Sequence, residues 1–446
     1  MGDRLFGTDG VRGVANTELD AKLAYGLGRA AVKFLGKDLF IGKDTRRSGD
    51  MLEAALSAGI MSAGGNAHVA GVIPTPAIAY FTRTGEYDGG IVISASHNPP
   101  RYNGIKFFSA QGFKLPNELE DEMQAYIEAG CPLDEQPIGA ELGRLIEYPN
   151  AATEYIKNAV ELFREWGLDL AGLKIVVDAG HGAAWQTTPE TLRRLGAEVI
   201  ALNDSYTGDD INVECGSTNL DELKAAVREH GADLGLAHDG DADRLQAVDA
   251  DGNEVDGDQI EAICAVDLKG RGLLANDTVV STVMCNLGFK KAMEREGIKV
   301  ECAKVGDRYV LEEMRAGGHI LGGEQSGHMI FLEHNTTGDG LITALNLLAA
   351  MRRSGKTLGE LATVMERYPQ VLVNVEVSDK TIHETSEAVV AKIEETKAAL
   401  GQDGRVLVRA SGTEQLIRVT IEALDDETAQ AAADGIAKEI RKADLG

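Results

Sequence analysis

The stretch Ile91-Val92-Ile93-Ser94-Ala95-Ser96-His97-Asn98-Pro99-Pro100 is an apolar run that stops abruptly in small polar residues, an Asn-Pro and a Pro-Pro. Its pattern reads as a buried strand running into a tight, exposed loop. A strand that delivers a Ser at its carboxyl end is a common way for an α/β sheet to present a nucleophile. A surface turn that happens to contain Ser would look the same over so few residues. Other polar loops along the chain separate the two readings, because they carry what phosphate chemistry at such a Ser requires.

Outward from this stretch, one pattern recurs. Leu39 to Lys43 reads as a strand, then a helix from about Asp50 to Ala63, Gly64-Gly65, and a strand at Ala67 to Ala70. Leu173 to Val177 repeats it, with a helix to about Leu195, Gly196, and a strand at Glu198 to Ala201. Thr278 to Val283 repeats it again, with a helix to about Glu296, Gly297, and a strand at Lys299 to Cys302. Strand, helix, Gly, strand is a βαβ unit with a short return turn. Three copies predict three related α/β domains. Each is followed by an apolar strand ending in a polar loop: Ser94 to Pro100, His238 to Arg244, and Gly322 to His328. Ligands of α/β sheets sit at the carboxyl ends of strands. After a linker near Tyr368-Pro369 the pattern changes. A strand at Val371 to Val377, a charged helix from Glu384 to Leu400, strands at Arg405 to Val408 and Leu416 to Ile421, and a helix from Asp426 onward predict a small α+β domain.

Asp239-Gly240-Asp241-Ala242-Asp243-Arg244 places a carboxylate at every second position. Three carboxylates so close repel one another unless a cation holds them. Oxygen-only ligands select a hard ion, Mg²⁺ or Ca²⁺. An EF-hand loop also begins this way, but it needs Gly and Glu where this chain has Arg244 and Ala250. Mg²⁺ completes its shell with phosphate oxygens, and Arg244 stands ready to hold the same phosphate. Gly322-Gly323-Glu324-Gln325-Ser326-Gly327-His328 sets hydrogen-bonding side chains on a Gly backbone, which suits sugar hydroxyls. Arg409-Ala410-Ser411-Gly412-Thr413-Glu414-Gln415-Leu416-Ile417-Arg418 puts Ser, Gly and Thr between two Arg, a natural phosphate cup. Phe6 to Gly13 sets Arg12 among three Gly, which suits close approach to a ligand. Two phosphate-binding places with a sugar site between them imply a substrate that is phosphorylated at both ends at some stage.

The bulk properties agree. At 446 residues, 43% apolar and 26% charged, the chain is long enough for three or four domains with ample core. A net charge of −27 argues against nucleic acid and anionic membranes as partners. No apolar run approaches the roughly 18 residues of a membrane span, and the amino terminus has no secretory h-region. Five scattered Cys without CxxC spacing read as reduced core thiols in a reducing cytoplasm.

Taken together, FGTDGVRG (6–13), GKDTRRSG (42–49), ISASHNPP (93–100), NGIKFF (103–108), DGDADR (239–244), KVGDRYV (304–310), GGEQSGH (322–328), TTGDG (336–340) and RASGTEQLIR (409–418) resemble the motifs of the α-D-phosphohexomutase family, in family order and across essentially the whole chain. The resemblance implies a heart-shaped molecule with a central cleft. Its domains would be three α/β domains with mixed sheets (1–150, 151–252, 253–368) and a C-terminal α+β domain (369–446). It implies that Ser96 is the phosphorylated serine, and that Asp239, Asp241 and Asp243 hold one Mg²⁺ with a phosphoserine oxygen from Ser96. Lys106 and Arg12 would assist proton transfer or steady the phosphoryl group. Glu324 and Ser326, with His328 in the same loop, would contact the sugar. Arg409, Ser411, Gly412, Thr413 and Arg418 would hold the non-reacting phosphate.

The implied reaction interconverts glucosamine 6-phosphate and glucosamine 1-phosphate, on the route to UDP-N-acetylglucosamine and cell wall. Glucosamine 1,6-bisphosphate would serve as intermediate and activator, and phosphorylation of Ser96 would switch the enzyme on. A homodimer through the first domain is implied as well. Rival readings are the same chemistry on mannose or glucose phosphates, a Mg²⁺-dependent sugar phosphatase, and a non-catalytic sugar-phosphate sensor. The chain departs from the family pattern at Ala242, where Gly is usual, and at Gln415, where Pro is usual.

Overall fold

The computed structural model describes residues 4–7, 9–133, 135–411 and 414–445. The chain divides into two compact units. One comprises Met1–Met284 with Ile298–Val364, the other Cys285–Gly297 with Met365–Gly446. No helix among the described residues is long and apolar enough to cross a membrane.

The first unit contains three mixed sheets. The first has strands β1 (Val11–Val14), β2 (Asp38–Lys43), β3 (Asn66–Val72), β4 (Gly89–Ile93), β5 (Tyr102–Ser109) and β6 (Leu145–Glu147), in the order β1-β5-β4-β2-β3-β6. The second has β7 (Lys174–Asp178), β8 (Glu198–Leu202), β9 (Leu234–His238), β10 (Leu245–Asp249) and β11 (Glu254–Val255), in the order β11-β10-β9-β7-β8. The third has β12 (Thr278–Thr282), β13 (Lys299–Ala303), β14 (Leu321–Gly323) and β15 (Met329–Phe331), in the order β13-β12-β14-β15.

The three sheets share one device. Strands β4, β9 and β14 each run parallel to an inner neighbour (β2, β7 and β12) and then turn back into an antiparallel partner (β5, β10 and β15). The turns are the three polar loops read from the sequence. Strands buried on both faces read as continuous apolar runs, and β4, β9 and β12 are buried at every position. The turn after β4 differs from expectation in one respect. It is not exposed: Ser94 and Ala95 are fully buried and Ser96 is 1% exposed. The helix expected from Asp50 begins at Ser48 and runs to Ser62.

In the second unit, β16 (Gln370–Glu376), β17 (Arg405–Ala410) and β18 (Leu416–Glu422) form an antiparallel sheet in the order β16-β18-β17. Ile417, Val419 and Ile421 of β18 pack on Ala433, Ile436 and Ile440 of the helix Asp426–Asp444. The single helix expected from Glu384 to Leu400 is two pieces, Ile382–Thr385 and Glu387–Leu400. They are broken at Ser386, whose ψ of 115° is extended rather than helical.

Candidate active site

The serine loop is held from inside. The Ser96 N–H donates to Ser94 Oγ at 2.9 Å, and Ser94 Oγ donates to Asp44 Oδ2 at 2.6 Å. Arg46, buried beside them, donates from Nε to the same carboxylate at 2.9 Å. Its two terminal nitrogens reach the carbonyls of Pro99 (2.6 Å), Tyr102 (3.0 Å), Ser96 (2.8 Å) and Asn98 (2.7 Å). All five guanidinium donors are thus engaged. Arg46 is a staple for the loop, with no donor left for a ligand. Asn212, from the second sheet's segment, donates to the Ser96 and Asn98 carbonyls as well, at 2.9 and 3.2 Å. This scaffold holds Ser96 at φ 52°, in the left-handed region that L-residues avoid.

Ser96 Oγ donates to Asp239 Oδ2 at 2.6 Å. Asp239, Asp241 and Asp243 are all buried, each with an oxygen within 4.8 Å of the others. The loop that carries them is tied across its base by His238. Its Nδ1 lies 3.1 Å from the Arg244 carbonyl, which can only accept, so Nδ1 carries the proton. Thr188 Oγ1 stands 3.0 Å from Nε2. Burial holds this imidazole near pKa 4, so it is neutral at neutral pH. Burial, then the Asp243 and Asp241 carboxylates, push the Asp239 carboxyl well above its ordinary range. Asp241 Oδ2 accepts from Thr75 Oγ1 and from Lys106 Nζ, both at 2.8 Å. Asp241 Oδ1 and Asp243 Oδ1 are buried with no hydrogen-bond partner among the described residues. Orphaned carboxylate oxygens this close fit a hard divalent cation.

Around the triad the basic groups form a ring. Lys106 Nζ bridges Asp241 and Asp9 Oδ2, the latter at 2.9 Å. Burial opposes its charge most strongly, but Asp241 and Asp9 outweigh burial and hold the ammonium above its ordinary pKa. Asp9 also pairs with Arg12 and with Lys114, and Lys114 pairs with Asp307. Asp307 Oδ2 lies 3.6 Å from His328 Nε2, and His328 Nδ1 lies 3.5 Å from Asp243 Oδ2. The Gly338 N–H donates to His328 Nε2 at 3.1 Å, so the ring proton faces Asp243. Arg244 Nε stands 3.8 Å from Asp243 Oδ1 and has no hydrogen-bond partner among the described residues. Five carboxylates therefore stand among four Lys and Arg side chains and one imidazole, His328. A divalent cation together with a phosphate dianion leaves that balance unchanged.

The loop after β14 reaches the same place. His328 is 3% exposed and pairs in a backbone bridge with Arg244, which puts the tips of the second and third hairpins side by side. Glu324 Oε1 accepts from the Gly306 N–H at 3.1 Å, and Ser326 Oγ is buried without a partner among the described residues. The structure thus brings together Arg12, Ser96, Lys106, Asp239, Asp241, Asp243, Arg244 and His328, with Glu324 and Ser326 in the adjoining loop. In the second unit, Arg409 and Arg418 sit directly opposite on β17 and β18. Like charges opposite one another are destabilising. Each leaves Nε buried without a partner among the described residues, although Arg418 also reaches Glu414 at 2.9 Å. Burial, then Arg418, lower the Arg409 pKa. Ser411 Oγ accepts from the Glu414 N–H at 3.2 Å, and Gly412 and Thr413 lie outside the described residues.

Comparison with known proteins identifies the family and the fold. Models of the phosphoglucomutase/phosphomannomutase family match in order: α/β/α domain I at residues 3–132, domain II at 149–252, domain III at 256–368 and the C-terminal domain at 372–439. The chain belongs to the phosphoglucomutase/phosphomannomutase family. A phosphoglucosamine mutase of Symbiobacterium thermophilum is 55% identical over 98% of this chain and 99% of that protein. One from Carboxydothermus hydrogenoformans is 54% identical over the same shares. Among solved structures, a phosphoglucomutase/phosphomannomutase family protein of Burkholderia thailandensis matches with a TM-score of 0.82 at 24% identity, covering 100% of this chain and 99% of that one. An N-acetylphosphoglucosamine mutase of Aspergillus fumigatus, solved with GlcNAc-6P and magnesium, matches with a TM-score of 0.70 at 19% identity, covering 99% and 96%. These structures share the fold.

Within this phosphohexomutase, Ala242 has φ 58°, the left-handed backbone that the usual Gly adopts freely. Gln415 donates from Nε2 to the Ser378 carbonyl at 3.0 Å. Sequence reasoning missed Asp9, Asp44, Arg46, Lys114, Asn212 and Asp307. Asp9, Asp44, Arg46 and Asp307 lie inside quoted motifs, and a rule that buried acids and bases need opposite partners would have flagged them.

Proposed function

We propose that this chain interconverts glucosamine 6-phosphate and glucosamine 1-phosphate through phosphorylated Ser96 and glucosamine 1,6-bisphosphate. The hydrogen bond from buried Ser96 Oγ to Asp239, inside a triad with two orphaned carboxylate oxygens, carries the reading. The names of the full-length relatives support glucosamine as the sugar. Asp239, Asp241 and Asp243, with an oxygen of phospho-Ser96, would hold one Mg²⁺. When bound it would draw charge from the phosphoryl oxygens.

The residues then take these roles. Arg244 and Arg12 hold the phosphoryl group, and Lys106, kept as an ammonium, donates hydrogen bonds to it. The P–Oγ bond breaks as the bond to sugar O1 forms. The O1 proton departs and the Ser96 oxygen takes one up, so no net proton is gained. The bisphosphate turns around and returns its 6-phosphoryl group to Ser96. Glu324, Ser326 and His328 form the sugar side, and Arg409, Ser411, Gly412, Thr413 and Arg418 hold the phosphate that does not react. Glu324 is also the acidic group available to a 2-ammonium. Glu324→Gln is expected to slow turnover of glucosamine phosphate more than that of glucose phosphate.

Four domains at 1–150, 151–252, 253–368 and 369–446 fit this division of labour. Cytoplasmic residence is supported by buried free thiols at Cys131, Cys215 and Cys264, while Cys302 is exposed rather than the core thiol expected. A homodimer through the first domain and activation by phosphorylation of Ser96 complete the reading.

The test is a coupled assay for glucosamine 1-phosphate formed from glucosamine 6-phosphate, with Mg²⁺ and a trace of sugar 1,6-bisphosphate, beside Ser96→Ala. Turnover that disappears in the variant is expected. Faster turnover of mannose or glucose phosphate would move the enzyme to that substrate class. Release of inorganic phosphate in place of isomerisation would make it a phosphatase.

A further inference from the structure

Lys106 is not held by its own strand alone. It lies on β5, and β5 runs into a turn that returns at Lys114, which pairs in a backbone bridge with Phe108. That turn and the helix after it are clasped by the third sheet's segment. Thr336 Oγ1 donates to the Gly112 carbonyl at 2.6 Å, and Arg308 reaches Glu120 at 2.8 Å and the Asn117 side chain. The innermost clasp is Lys114 to Asp307, the first residue of the helix Asp307–Gly317. A carboxylate at a helix start is stabilised there, which fixes Asp307 in place.

From Asp307 the contacts run inward without a gap. Lys114 pairs with Asp9 Oδ1, and the other oxygen of Asp9 pairs with Lys106, whose nitrogen touches Asp241 of the triad. Lys114 and Lys106 are 8% and 2% exposed at their side chains, so little water intervenes to soften the chain. Neither Lys114 nor Asp307 bonds to Ser96 or to the triad aspartates themselves, although Asp307 also stands 3.6 Å from His328 Nε2.

We propose that Asp307 and Lys114 are positioning residues: through Asp9 they set where the Lys106 ammonium stands against Asp241, and so tie the start of the helix Asp307–Gly317 to the reacting centre. The inference rests on the mutase reading above. It assigns the pair a task in the chemical step rather than in holding sugar.

The test is steady-state kinetics on the full chain for Asp307→Asn, Lys114→Met and the double variant, beside the unchanged protein. Each single change is expected to lower kcat by roughly 10- to 100-fold, the scale of a displacement of about 1 Å. KM for the sugar phosphate should stay within about threefold. The losses should not multiply in the double variant, because Lys114 and Asp307 share the route through Asp9. Should a single variant fail to fold, the double, which leaves neither charge of the pair unpartnered, carries the test. Unchanged kcat, a KM that rises in place of a falling kcat, or losses that multiply in the double would each overturn the inference. An unchanged protein without mutase turnover would overturn the mutase reading and this inference with it. An active protein with indifferent variants would overturn this inference alone.

Discussion

Arg46 shows how much one buried side chain can decide. It neutralises Asp44, which orients Ser94, which in turn receives the Ser96 N–H. It also gathers four carbonyls of the loop that presents Ser96. Removing it leaves the Asp44 carboxylate without its counter-charge in a dry site and takes a donor from four carbonyls, of which those of Ser96 and Asn98 keep Asn212. Arg46→Met is therefore expected to cost about 3–5 kcal/mol, the usual penalty for breaking a buried ion pair. Urea unfolding measures it, and a loss below about 1 kcal/mol would contradict the staple. Lys in its place would keep the charge but lose the planar fork. In the sequence Arg46 looked like one more cation of a basic, hydroxyl-rich loop. What hid its role is distance: its carbonyl partners lie 50 to 56 positions away.

At the scale of elements, close contacts between helices and strands carry the frame. The helices Ala21–Phe34 and Ser48–Ser62 approach so closely that a Cβ on Gly28 would stand 2.2 Å from the Leu56 carbonyl oxygen. In an open helix Gly→Ala gains about 1 kcal/mol. Here Gly28→Ala should instead destabilise by about 1–3 kcal/mol through overpacking, so the sign alone tests the packing. A lower urea midpoint is expected, and a higher one would contradict it. The helix Gly257–Gly270 carries a different liability. Glu261 is fully buried, and both its carboxyl oxygens lack a hydrogen-bond partner among the described residues. Burial, with Asp258 adding to it, raises its pKa well above the ordinary carboxylate range. The unfolded chain sheds this proton in the ordinary range while the native chain keeps it. Stability is therefore lost as pH rises from that range towards the raised value. Glu261→Gln removes the effect. Its stability relative to the unchanged protein should grow from pH 5 to pH 8 in thermal or urea unfolding, and a constant difference would contradict the assignment.

The elements themselves were largely legible. Runs such as Ile91 to Ile93, Ile175 to Val177 and Val279-Val280 announce strands because they are buried on both faces. The alternating carboxylates of 239–243 pointed to a cation site because three so close repel one another unless a cation holds them. The break at Ser386 was not legible, since the residues on either side favour helix and only the backbone shows the turn.

At the scale of the molecule, a chain with net charge −27 must collect an anionic substrate on local basic groups. The structure meets this with a ring in which every base lies against an acid, around carboxylate oxygens left open for a cation. That ring was the least legible part. Lys114 meets Asp9 and Asp307 across 105 and 193 positions, and no local pattern reports such a pairing. Ser96 and the triad were legible as candidates because each lies in one local motif, although the serine loop by itself reads equally as a surface turn. The assembly of those loops was not, because it depends on three separate sheets presenting their hairpin tips to one another.

The central claim is that Ser96 carries the phosphoryl group between sugars. Peptide mass mapping tests it most directly. The protein is incubated with glucose 1,6-bisphosphate and Mg²⁺, mapped, and mapped again after glucosamine 6-phosphate is added. One phosphoryl group on the peptide containing Ser96, discharged by the sugar phosphate, is the predicted result. Turnover without phosphate on Ser96, or phosphate there that the sugar does not remove, would contradict the account.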